Sequence, residues 1–88
     1  MSVGLDSVEL VLAFEDEFEI RIPDEVAAGM RSIRDVVDFV ATQLAAQGRP
    51  RDRDLVLAMV YVITADQTGV QLDRLTEDTQ FVADLGID

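Results

Sequence analysis

Leu55-Val56-Leu57-Ala58-Met59-Val60-Tyr61-Val62-Ile63 is nine residues of unbroken apolar sequence, and whether it forms a helix or a strand decides the fold. Its β-branched content would suit a buried strand. Two features favour a helix. Leu55, Met59, Val62 and Asp66 share one helical spacing, while Val56, Val60 and Ile63 share another. A lone strand among helices would also leave its backbone amides and carbonyls without partners. The spacing therefore predicts a helix from Asp52 to Thr68. The run is too short to span a bilayer, which takes about 20 apolar residues.

The segments before it are helical by the same criterion. In Asp6 to Phe18, Ser7, Leu10, Val11, Phe14 and Phe18 form one stripe at spacings of three and four. Asp6 or Ser7 can accept the first-turn amides. Glu9, Glu15, Asp16, Glu17 and Glu19 occupy the remaining surface, with Val8 and Leu12 one turn apart beside them. An acidic rim around small apolar side chains fits a docking face, and ordinary solvation is the rival reading. Pro23 turns Ile22 away from helical dihedrals and ends this helix before it. Pro23 to Gly29 predicts a short helix with Gly29 as a left-handed stop. Ser32 and Asp35 have capping-box spacing ahead of a further helix reaching about Ala46, with Ile33, Val36, Val37, Val40 and Leu44 facing the core and Phe39 at its edge.

Gln47 to Arg53 is a linker, where Gly48 and Pro50 block helix continuation. Beyond Gly69 the chain reads as a long connector, pinned by Val70, Leu72 and Leu75 and then by Phe81, Val82 and Leu85. Thr76 to Thr79 forms a turn or cap cluster. An ordered connector of this length usually has a functional reason.

Composition narrows the chemistry. Among 88 residues there are 18 Asp and Glu against 7 basic residues, all Arg, for a net charge of -11. Such a field repels nucleic-acid phosphates and attracts basic protein surfaces. With neither Cys nor His, thiolate and histidine catalysis and the usual zinc sites are excluded. Asp84 with Asp88, and Glu15 with Glu19, share faces that plain acidic surface explains. No calcium-loop pattern is present. The expectation is a non-enzymatic, metal-free protein. The acidic start is unlike a signal peptide, which points to the cytoplasm.

Two blocks carry a resemblance. Val8-Glu9-Leu10-Val11-Leu12-Ala13-Phe14-Glu15-Asp16-Glu17-Phe18 followed by Ile22-Pro23-Asp24-Glu25 resembles the second helix and following loop of acyl carrier proteins. Gln67-Thr68-Gly69-Val70, Leu75-Thr76 and Phe81-Val82-Ala83-Asp84-Leu85-Gly86-Ile87-Asp88 resemble the end of that family's first helix and the loop before its attachment serine. The blocks stand in reversed order. The resemblance implies one all-α domain over residues 1–88, a four-helix bundle of the acyl-carrier type in circularly permuted order. Residues 1–46 would supply family helices II to IV, 47–53 the new link, and 54–88 family helix I with its long loop. An up-and-down bundle permits this, since its first and last helices end close together. Exchange of the last helix between two chains, giving a swapped dimer, is the alternative closure.

In the family the attachment serine follows Gly-x-Asp and carries a 4'-phosphopantetheine arm, whose thiol holds the acyl group as a thioester. Here the family's spacing puts that position on Gly4, which has no hydroxyl. Ser7, three positions later with Asp6 beside it, is one substitute; Ser2 near Asp88 is another; a helix-capping role for Ser7, with no arm, is a third. The implied function is an acyl or peptidyl carrier of fatty acid or polyketide biosynthesis that docks basic partner enzymes through Val8, Glu9, Leu12, Glu15 and Asp16. An arm-less interaction module is the alternative. Leu57, Tyr61 and Val62, apolar where the family is usually charged, form a candidate homodimer face. Neither nucleic acid nor membrane is an expected partner.

Overall fold

The computed structural model describes residues 7–87, so Ser2, Gly4, Asp6 and Asp88 lie outside the described residues. Four helices follow one another: α1 (Ser7–Phe18), α2 (Asp24–Gly29), α3 (Ile33–Ala46) and α4 (Arg53–Thr68). A single 3-10 turn, Leu72–Arg74, comes after them. The fold is all-α. The apolar run around residue 60 is helical, and α4 packs against both α3 and α1.

Each long helix buries one stripe. Leu10, Phe14 and Phe18 of α1 meet Ile33, Val36, Val37, Val40 and Leu44 of α3 in a shared core with Val56 and Val60 of α4. Ile63 and Phe39 are half-buried against it. Where sequence spacing assigns Ile63 to the core stripe, the fully buried position is Thr64, one residue on. The strict four-residue step from Val56 through Val60 keeps one line along the helix, and Thr64 continues that line.

The helix ends are closed by identifiable groups. At α3, Ser32 Oγ accepts from the Asp35 amide while Asp35 Oδ2 accepts from the Ser32 amide at 3.1 Å, completing the capping box. Asp52 caps α4 by accepting from the Asp54 amide, and Gly69, at φ 77°, ends it in the left-handed conformation. Gly29 does not act as a left-handed stop. It is the last residue of α2, and the chain leaves through Met30 in extended conformation, so no positive φ is needed. The left-handed residue here is Glu19, at φ 52°, just past the end of α1 at Phe18 and before the Ile22 that Pro23 restrains.

The segment after α4 is fastened across the start of α3. The Ile33 amide donates to the Thr79 carbonyl at 3.0 Å, the Arg34 amide to the Glu77 carbonyl at 2.9 Å, and the Phe81 amide to the Arg31 carbonyl at 3.0 Å. First-turn amides that a helix leaves unpaired are thereby satisfied by a distant loop. Leu75, Phe81 and Ile87 are buried anchors. Leu72 and Val82 are exposed rather than anchoring. The 3-10 turn and the turn at residues 81–85 rotate those two side chains outward while their neighbours reach the core.

Candidate functional site

The site expected from sequence centres on α1. Ser7 is its first described residue and is exposed, not part of the core-facing stripe as its spacing suggests; burial along that stripe begins at Leu10. Beside it, Val8 and Val11 of α1 face Asp24, Ala27 and Ala28 of α2 across a cleft of about 220 Å³ that Ser7 also lines. Helix α2 has no fully buried residue, and only Val26 and Ala27 pack on the core. The wall opposite α1 is therefore thinly held.

The five docking candidates do not form one face. Val8, Leu12 and Glu15 line a groove of about 470 Å³ closed by Arg21, Ile22 and Pro23. Asp16 faces the opposite flank, toward α4, and Glu9 is exposed. Val8 is 62% and Leu12 56% exposed, which makes them the apolar surface of that flank. Glu15 also has a structural task. Its Oε2 accepts from the Ile22 amide at 2.7 Å, holding the chain that returns along α1 toward α2.

Leu57 and Tyr61 are drawn half-buried onto the core, and of the proposed dimer trio only Val62 is exposed. Leu55, exposed at 59%, joins it on the outer side of α4. Burial raises the Tyr61 phenol above its ordinary value, and the nearby Glu77 charge adds to this.

An ion cluster not apparent from sequence lies where the C-terminal loop meets α3 and α4. Arg53 donates to Asp38 Oδ1 and, at 2.7 Å, to Glu77 Oε1. Arg34 pairs with Asp78 and Glu77. The hydrogen bond from Arg53 holds the Glu77 carboxyl below its ordinary 4.5. Burial pushes Asp35 up, but the Arg31 and Ser32 amides outweigh it and hold that carboxyl below its ordinary 3.8. Sequence separations of 15 to 44 residues hide all these side-chain pairs from any local pattern.

The chain is 50% identical over 43 residues to the acyl carrier protein of Thermosynechococcus vestitus and 50% identical over 43 residues to that of Phenylobacterium zucineum. It is 53% identical over 39 residues to the mitochondrial acyl carrier protein of Saccharomyces cerevisiae. The likeness is to acyl carrier proteins. The matches cover 49%, 49% and 44% of this chain. The chain spans 53% and 54% of the first two relatives and 31% of the third. No protein-family model matches the chain. No solved structure matches it. Among the described residues no helix is long and apolar enough to cross a membrane.

Proposed function

We propose that the chain is a single carrier-type domain of the cytoplasm, without catalytic activity of its own, that bears a phosphopantetheine arm on Ser7 and presents its cargo to basic partner enzymes. The observation that carries this reading is the likeness to acyl carrier proteins at half identity, together with an exposed primary hydroxyl at the start of α1.

The residues present fit the arm. A phosphodiester on Ser7, in the first described turn of α1, would stand beside the α1–α2 cleft that Ser7 lines. The adjoining cleft offers Val8, Val11, Ala27 and Ala28 as apolar walls for an acyl chain. The arm supplies the thiol on which the acyl group is carried. The protein's own contributions are to tether, to shelter and to be recognised. Recognition falls to Val8 and Leu12, with Glu9 and Glu15 steering a basic surface on approach, while Asp16 belongs to the other flank of α1.

The reversed block order further suits a permuted bundle, with α1, α2 and α3 as family helices II to IV and α4 as helix I. Packing of α4 against both α1 and α3 supports this. So does a match length near half the chain, because a collinear match can follow only one block at a time. Closure within one chain and exchange between two chains use the same contacts.

A specific observation favours the second reading, an arm-less interaction module: the family's serine position falls on Gly4. Incubation with a phosphopantetheinyl transferase and coenzyme A separates the two. The intact mass rises by one arm in the carrier, and Ser7→Ala removes that gain. An unchanged mass, with a control carrier loaded in the same tube, leaves the module reading.

A further inference from the structure

The second flank of α1 has its own groove, of about 390 Å³, between α1 and α4. Half-buried Ala13, Met59 and Ile63 line it with the more exposed Val62, and three carboxylates line it beside them: Asp16 and Glu17 on α1 and Asp66 on α4. Val62 is 47% exposed. Leu55, one heptad before Val62 and 59% exposed, prolongs the apolar strip past Met59 toward the start of α4. The ion pairs between described residues engage Arg34 and Arg53, with Asp38, Glu77 and Asp78 as their acids. The groove's carboxylates take part in none of them.

We propose that this groove docks a cationic amphipathic helix belonging to another protein. A channel between two helices accepts side chains projecting at steps of three, four and seven from one face of a third helix. Carboxylates on both banks would pair with Lys or Arg flanking those anchors, while the apolar lining takes the anchors themselves. A second copy of this chain is the poorer occupant, because each copy brings a net charge of -11 and repels the other. This surface is separate from the Val8–Leu12 flank and needs no arm. Its test therefore stands whether or not Ser7 is loaded.

The experiment titrates isotope-labelled protein with a synthetic Leu/Lys helix whose leucines follow the three-four-seven pattern. A peptide of equal composition with its leucines scattered around the helix is the comparison. The expected result is amide shifts centred on Ala13, Val62 and Asp66 with the patterned peptide and markedly weaker binding of the scattered one. Val62→Asp and, separately, Asp66→Lys each weaken binding about tenfold or more, while Val82→Asp in the exposed C-terminal loop leaves it intact. Both groove positions face solvent, so the variants fold. Shifts centred on Val8 and Leu12, equal binding of the two peptides, or a sedimenting dimer dissolved by Val62→Asp would overturn the proposal.

Discussion

Arg49 donates to the Phe18 carbonyl at 3.1 Å, so the segment that joins α3 to α4 also closes the end of α1. The same nitrogen reaches the Glu19 carbonyl at 3.1 Å. These are carbonyls that a helix leaves without partners, at a turn where Glu19 takes a left-handed conformation unfavourable to a side chain. The linker is thereby part of the bundle rather than a loose tether. Arg49→Met is expected to cost about 1 kcal/mol and to lower Tm by about 4–8 °C for a domain of this size. Calorimetry checks it, and an unchanged Tm would show the linker to be dispensable to α1.

Thr64 is completely buried, and its hydroxyl oxygen has no hydrogen-bond partner among the described residues. A desolvated, unpaired hydroxyl costs about 1–3 kcal/mol. Thr64→Val keeps the shape and removes that group, so the urea midpoint should rise with the slope unchanged. A lower midpoint would mean that the hydroxyl does hold a partner in solution.

Glu15 is expected to act twice. Its bond to the Ile22 amide predicts that Glu15→Ala lowers stability by about 1 kcal/mol besides altering partner approach. Val8→Asp and Leu12→Asp, at exposed positions, should leave the urea midpoint nearly unmoved. Comparable midpoint losses for all three would place Val8 and Leu12 in the core's support instead of on its surface.

Acid should release two fastenings at the start of α3. The Asp35 and Glu77 carboxyls are held below their ordinary 3.8 and 4.5. A depressed folded-state value gives stability that is fully present above the unfolded value and is lost as pH falls through the folded one. Wild type should therefore exceed an Asp35→Asn, Glu77→Gln double variant at neutral pH. That margin should shrink below about pH 4. Midpoints measured from pH 7 down to pH 2 report the margin, and one that widened in acid would reverse the assigned signs.

The parts of this architecture that repeat along the chain were legible before folding. Stripes in α1 and α3 and the capping box of Ser32 and Asp35 follow from residue type and period alone. The nine-residue run in α4 was harder, since a run apolar on every side gives no local preference between helix and strand. Its two spacings and the absence of a strand partner decided it. Thr64 was hidden because a polar residue does not advertise burial. Leu72 and Val82 misled because apolar character alone does not say which way a turn will point them. The Arg53–Glu77 pair, 24 residues apart, depends on where the C-terminal loop crosses α3, a tertiary fact with no local signature. At the site, the exposure of Val8 and Leu12 followed the helical pattern, whereas Ser7, placed by spacing on the core-facing stripe, is exposed because the buried part of that stripe begins only at Leu10. The division of α1 into two flanks needed the positions of α2 and α4.

Peptide-level mass spectrometry after transferase treatment addresses the carrier role most directly. The arm is expected on the fragment containing Ser7, as one addition per chain, and absent from Ser7→Ala protein. Complete absence of the addition from every serine-containing fragment, under conditions that load an ordinary carrier, would contradict it.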